Sequence, residues 1–216
     1  MKYKIAIFDM DGTILNTIED LTDSTNYALK VHHLPERTID EVRCFVGNGI
    51  RKLIERAVPE NSTDILIEDV FETFKVYYAD HCNDKTFVYE GISELLANLK
   101  YRGIITAVVS NKADFAVQSL CKDYFAGLFD YAVGEKEGIR KKPYPDSIIN
   151  IIEKYDVTKD EVVYIGDSEV DFQTSLNAGI DSIMVAWGFR TEEVLKKLGA
   201  GVIVHKAEEL MELICC

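Results

Sequence analysis

The sequence predicts a parallel α/β sheet covered by helices on both faces, interrupted near its start by an inserted helical bundle. Three observations carry this. Short β-rich runs recur along the chain and alternate with stretches of helical periodicity, which is how parallel sheets are built. The runs are apolar without in/out alternation, as strands buried on both faces are. One early interval, from about Asn16 to Asn83, holds helical patterns and no strand candidate.

The first strand is expected at Lys4–Phe8, where an apolar run ends on Asp9. The helical interval follows, with Pro35 and Pro59 as punctuation and helices expected near Thr17–His33, Ile39–Val46, Ile50–Ala57 and Asp64–Cys82. The sheet resumes near Phe87 and continues with strands expected at Ile104–Ser110, Tyr131–Val133, Val162–Ile165, Ser182–Val185 and Val202–Val204. The expected division is therefore a core of residues 1–15 and 84–216 with an insertion of residues 16–83.

Composition narrows the function classes. The chain has 216 residues, 47% of them hydrophobic, enough to bury a full core and too apolar for a disordered segment. A formal net charge of -13, without a basic stripe carrying interleaved aromatics, argues against a nucleic-acid partner. A small anion remains compatible, because a few cations and backbone N–H groups can make one cleft locally positive. The apolar run before Asp9 is too short for a secretion signal, and no stretch is long enough to span a bilayer, so a cytoplasmic location is expected. Cys44, Cys82, Cys121, Cys215 and Cys216 show no metal-ligand spacing and read as reduced thiols. Asn61-Ser62-Thr63 fits a glycosylation sequon, but without a secretion signal it reads as a polar turn.

Four segments carry chemistry, each placed at a strand end. The first strand runs into Asp9-Met10-Asp11-Gly12-Thr13, setting two carboxylates where open α/β sheets bind ligands. One carboxylate can attack phosphorus while its neighbour protonates the leaving oxygen and then activates water. Gly12 permits a tight turn, and Thr13 can cap the backbone after it. After the second long strand come Ser110-Asn111-Lys112, whose hydroxyl and N–H groups can hold phosphate oxygens, although Ser110 also suits a helix N-cap. In Arg140-Lys141-Lys142-Pro143-Tyr144-Pro145 the prolines restrict the backbone, and Lys142 is the candidate cation. Finally, Gly166-Asp167-Ser168-Glu169-Val170-Asp171 adds hard oxygen ligands that suit Mg²⁺, with Asp167 expected as the direct ligand, Asp171 behind it and Glu169 in solvent.

These four segments, in this order, resemble the four motifs of the haloacid dehalogenase superfamily of phosphatases, and the helical insertion resembles that superfamily's helical cap over a Rossmann-like core. Within it the chain most resembles phosphoglycolate phosphatase-like proteins, through Val46-Gly47-Asn48-Gly49-Ile50-Arg51-Lys52-Leu53, Tyr89-Glu90-Gly91-Ile92 and Trp187-Gly188-Phe189-Arg190-Thr191. The resemblance implies Asp9 as nucleophile and metal ligand, and Asp11 as general acid/base that also ligates Mg²⁺ through its backbone carbonyl. It implies Asp167 as the last protein ligand, and Ser110, the Asn111 backbone and Lys142 as the phosphoryl binders, with Asp171 supporting the metal or Lys142. Arg51, at a cap helix start, would meet a carboxylate or second phosphate of the substrate. Departures are small: Asn16 stands where relatives often have Asp, Ser110 where Thr is frequent, and Tyr89-Glu90-Gly91 where many have a Pro-Gly turn.

The function implied is Mg²⁺-dependent hydrolysis of a small phosphate monoester, 2-phosphoglycolate first, through a phospho-aspartyl intermediate. Pyrophosphatase or nucleotidase activity, a sugar phosphomutase and a binding module that has lost its chemistry are the alternatives. A monomer is favoured over an assembly.

Overall fold

The computed structural model describes residues 2–215. In chain order its elements are β1 (Ile5–Phe8), β2 (Leu15–Asn16), α1 (Ile18–Val31), α2 (Ile39–Phe45), α3 (Ile50–Ala57), α4 (Asp64–His81), β3 (Phe87–Val88), α5 (Ile92–Tyr101), β4 (Ile105–Ala113), α6 (Asp114–Phe125), β5 (Tyr131–Glu135), α7 (Asp146–Tyr155), β6 (Val162–Gly166), α8 (Glu169–Ala178), β7 (Asp181–Val185), α9 (Glu192–Lys197), β8 (Ile203–Val204) and α10 (Ala207–Cys215). They fall into two units, Met1–Leu15 with Val88–Cys216 and Asn16–Phe87.

The larger unit is built on a six-stranded sheet in the order β5-β4-β1-β6-β7-β8, parallel throughout. β1 lies in the middle, paired with β4 on one edge and β6 on the other. The chain leaves β1 toward β4 and β5, then returns to its other side for β6, β7 and β8. That reversal makes the carboxyl end of β1 a topological switch point, where a crevice opens in such sheets.

Every residue of β1 is fully buried, and its side chains alternate between two cores. Ala6 and Phe8 join Leu96, Leu99, Leu120 and Leu210 from α5, α6 and α10. Ile5 and Ile7 join Ile148, Ile151 and Ala178 from α7 and α8 on the opposite face. Helices on both faces thus explain why the strand lacks polar alternation. Burying each of these large side chains is worth about 2 kcal/mol, so β1 is firmly held just before Asp9.

The smaller unit is helical. α2 starts on a capping box, with the Thr38 side chain accepting from the Glu41 N–H and the Glu41 carboxylate from the Thr38 N–H, and α4 starts on a Thr63 cap. Leu21, Leu29, Val42, Leu53, Ile54, Val70 and Phe74 form its buried interior. Where the sequon lies, Asn61 adopts φ 70° and the Ser62 hydroxyl donates to the Pro59 carbonyl, so the stretch is a turn.

Two short elements escape the sequence reading. β2 and β3 form a two-stranded sheet of their own at the crossings between the units. With two residues each, neither carries a readable period. The return crossing also falls later than the expected 83/84 boundary. Buried Asp20 of α1 accepts from the Lys85 N–H, the Thr86 N–H and the Thr86 hydroxyl, which binds this stretch to the helical unit as far as Phe87.

Candidate active site

β1, β4 and β6 lie side by side, and the segments after β1 and β6 converge on the last part of β4, where Ser110, Asn111 and Lys112 lie within the strand and not after it as expected. Asp9, Asp167 and Asp171 each place a carboxylate oxygen within 4.8 Å of the others, and all three side chains are buried. Facing them is Lys142, 5% exposed, whose Nζ lies 2.8 Å from Asp9 Oδ1 and 2.8 Å from Asp171 Oδ1. The Asn111 amide holds the Lys142 backbone at both ends: its Oδ1 accepts from the Lys142 N–H at 2.8 Å and its Nδ2 donates to the Lys142 carbonyl at 3.0 Å. The second long strand therefore positions the loop that carries the cation.

Electrostatics follow from this packing. Burial alone would lower the Lys142 pKa, but Asp171 and Asp9 overcome it and hold the ammonium well above its ordinary value. Burial and the Asp171 charge push Asp9 up to about 7, against the pull of Lys142. Burial, with Asp171 and Asp9, likewise raises Asp167 well above the usual carboxylate range. Three carboxylates against one ammonium leave a local charge of about two negative units when all are ionised. A buried imbalance of that size and sign fits a divalent, oxygen-seeking cation.

The two outer carboxylates are not equivalent. Asp171 is saturated: Oδ1 accepts from Lys142 Nζ and the Tyr164 hydroxyl, while Oδ2 accepts from the Ser168 hydroxyl and the N–H groups of Asp167 and Ser168. Such an oxygen pair has little left for a metal and acts as an anchor. Asp167 accepts one bond on each oxygen, from the Thr13 hydroxyl at 3.2 Å and the Phe189 N–H at 2.6 Å, which leaves it lone pairs to offer. Its position depends on glycines: a Cβ on Gly12, itself at φ 85°, would lie 2.4 Å from Asp167 Oδ2, and one on Gly188 2.3 Å from Asp167 Cβ.

Several expectations need correction. Thr13 does not cap the following backbone; its hydroxyl serves Asp167, because the turn at Gly12 brings it under that carboxylate. Ser110 is no helix cap, since α6 begins at Asp114 after Ala113; its buried hydroxyl accepts from the Lys112 N–H at 3.3 Å. Glu169 keeps a partly exposed side chain, and it also grips Arg190 through paired contacts of 2.7 and 2.9 Å that the sequence did not suggest. In the helical unit, Arg51 stands at the start of α3 after Gly49 at φ 86°, where it pairs with Glu68 and Glu55 and lies over the Phe71 ring.

Sequence reasoning also missed three partners. Tyr164 places its hydroxyl 3.1 Å from both Lys142 Nζ and Asp171 Oδ1; a lone polar atom in an otherwise aliphatic strand was the available signal. Lys112 sits 4% exposed with Nζ 2.9 Å from Asp11 Oδ1. Trp187 donates its indole N–H to the Thr13 carbonyl, joining the loop after β7 to the turn after β1.

The profile of the haloacid dehalogenase-like hydrolases matches residues 6–185, which includes all four chemical segments. The chain belongs to this family. It is 30% identical to a phosphoglycolate phosphatase of Mannheimia succiniciproducens, over 87% of this chain and 88% of that one. It is equally 30% identical to an N-acetylmuramic acid 6-phosphate phosphatase of Pseudomonas aeruginosa, over 99% and 96% of the two chains. A crystal structure from Lactobacillus delbrueckii subsp. bulgaricus, provisionally assigned as a phosphoglycolate phosphatase, superposes with a TM-score of 0.95 at 44% identity, over 99% of each chain. This haloacid dehalogenase-like protein is a phosphatase of the phosphoglycolate phosphatase-like kind. No helix among its described residues is long and apolar enough to cross a membrane.

Proposed function

We propose that this phosphatase hydrolyses a small-molecule phosphate monoester, with 2-phosphoglycolate favoured, through a phospho-aspartyl intermediate on Asp9 and with Mg²⁺ as cofactor. The observation that carries the reading is the buried Asp9 carboxylate at the switch point, paired with Lys142 inside a cluster whose charge is left unbalanced. The helical insertion, residues 16–83 by sequence and Asn16–Phe87 by contacts, serves as the cap that selects the leaving group.

An Asp9 oxygen attacks phosphorus and the bond from phosphorus to the ester oxygen breaks. Asp11 gives its proton to the departing alkoxide. The same Asp11 then takes a proton from water as that water attacks the phosphorus, releasing inorganic phosphate and restoring Asp9. Lys142, held by Asn111, Asp171 and Tyr164, neutralises phosphoryl charge beside the nucleophile. Ser110 and the Asn111 backbone bind phosphoryl oxygens. Asp9 and Asp167, with the Asp11 carbonyl, would hold Mg²⁺, and Asp171 supports the set. When bound, Mg²⁺ supplies positive charge that offsets the excess carboxylate charge and screens the phosphoryl group from Asp9.

One relative is a phosphoglycolate phosphatase and another an N-acetylmuramic acid 6-phosphate phosphatase, and in this reading the helical insertion selects among such leaving groups. Arg51, close to the Gly47-Asn48-Gly49 turn, is the side chain offered to a substrate carboxylate, exchanging Glu68 for it. The test is phosphate release from 2-phosphoglycolate, pyrophosphate, nucleoside monophosphates and sugar phosphates, with Mg²⁺ or chelator, beside Asp9→Asn. Metal-dependent release lost in the variant is expected. Interconversion of sugar phosphates without phosphate release would mean a mutase, and Mg²⁺ binding with no turnover a binding module.

A further inference from the structure

Asp11 lies outside the three-carboxylate cluster and has a buried cation beside it. Lys112 Nζ lies 2.9 Å from Asp11 Oδ1, with the lysine side chain 2% and the Asp11 side chain 15% exposed. Both ends of this pair are pinned. Asp11 bridges Leu15, and the Gly12 N–H donates to the Leu15 carbonyl at 2.8 Å, so the turn carrying Asp11 closes on itself. On the other side the Lys112 N–H donates to Ser110, and its carbonyl abuts Gly134 so closely that a Cβ there would lie 2.4 Å away. Gly134 is itself fixed by its N–H bond to the Asp114 carboxylate at 2.8 Å.

We infer that Lys112 is a positioning residue for the reaction: its ammonium holds the Asp11 carboxyl at the place from which it serves the leaving-group oxygen. The inference rests on the phospho-aspartyl reading, in which Asp11 is the proton donor. A carboxyl group on a short side chain can swing about two torsions, and a proton donor displaced by about 1 Å can lose some 10²-fold in rate. Burying an ammonium against Asp11 removes that freedom. Lys112 differs from Lys142 in this: Lys142 stands beside the nucleophile and Asp171, whereas Lys112 stands beside the acid.

Leaving-group dependence separates positioning from mere packing. kcat/KM covers steps up to cleavage of the ester bond, so it senses the proton only when the leaving group needs one. The comparison uses p-nitrophenyl phosphate, whose phenolate departs unprotonated, and the alkyl phosphate the enzyme turns over best. For Lys112→Met, kcat/KM on the alkyl ester is expected to fall about 30- to 100-fold, and on the aryl ester less than about 3-fold. Lys112→Arg, which keeps the charge but changes its reach, should show a smaller loss with the same selectivity, and it carries the comparison if Lys112→Met does not fold. Equal losses on both esters, or no loss, overturn the inference. Asp11→Asn is the reference: if it too shows no selectivity, the role of Asp11 falls and Lys112's with it. If Asp11→Asn is selective and the Lys112 variants are not, the Lys112 role alone is wrong.

Discussion

Asp9→Asn is expected to abolish turnover and yet stabilise the metal-free protein. In the fold Asp9 moves from 3.8 to about 7, because burial and Asp171 outweigh Lys142. At about 1.4 kcal/mol per unit, ionising this carboxylate costs the metal-free fold on the order of 4 kcal/mol. The sign follows from proton binding: the folded state keeps a proton that the unfolded state has lost, so stability declines as pH rises from 3.8 to about 7 and is flat above. Asparagine carries no such cost. The Lys142 attraction is already contained in that shift; what offsets part of the gain is the fit of an amide NH2 group in a site built for two acceptor oxygens. The expected net is about 2 kcal/mol at pH 8, or about 4–8 °C in Tm for a chain of this size, shrinking to nothing near pH 4. Thermal unfolding of both proteins in chelator at pH 4.5, 6 and 8 measures it. A variant less stable at pH 8, or a difference that does not open with rising pH, would refute the charge assignment.

Mg²⁺ should raise the wild-type Tm more at pH 8 than at pH 5.5, because the metal competes with protons on Asp9 and Asp167, both shifted upward; Asp167→Asn should erase the shift in the same scan. Tyr164→Phe removes the hydroxyl shared by Lys142 and Asp171 and is expected to cost about 1–2 kcal/mol in denaturant unfolding. Gly188→Ala puts a methyl where only 2.3 Å separates it from Asp167 Cβ, so the Mg²⁺ concentration for half-maximal activity should rise at least about tenfold, followed by metal titration. Asp20→Ala leaves the Lys85 and Thr86 donors without their shared acceptor and should destabilise the helical unit by about 3 kcal/mol, read as faster amide exchange along α1.

How much of this was legible in sequence depends on the range of the interaction. β1 could be read from four apolar residues because burial on both faces demands apolar side chains at every position. α3 could be placed because Gly49 and the run from Ile50 mark its start locally. Each chemical segment could be found because a strand end followed by Asp, Ser or Lys is a local pattern. What could not be read was pairing across the chain. Glu169 could not be tied to Arg190, because that partner comes from another loop. Thr13 looked like a cap because Asp167 lies 154 residues away in sequence. β2 and β3 were missed because two residues carry no period, and the boundary at Phe87 because it is set by Asp20 from the far side of the insertion.

The charges at this site divide into a balanced and an unbalanced set, and the division matches the chemistry proposed. Asp11 and Glu169 each have a cation at close range, Lys112 at 2.9 Å and Arg190 at 2.7 Å. Asp9 and Asp171 share Lys142, and Asp9 and Asp167 are pushed upward by burial first and then by the neighbouring carboxylates. A fold selected for stability alone would pair or discard such carboxylates, since an uncompensated buried charge costs several kcal/mol. Crowding them against Gly12, Gly166 and Gly188, where no larger residue fits, makes the imbalance a fixed property of the fold. An imbalance of this kind at the strand ends suits the divalent cation and phosphoryl group of the proposed reaction. The stability gained on removing Asp9 charge and the stability gained on adding Mg²⁺ therefore measure the same cost of burying crowded carboxylates, and the two should not be additive: in Asp9→Asn the Mg²⁺-induced rise in Tm should shrink by about as much as the variant has gained.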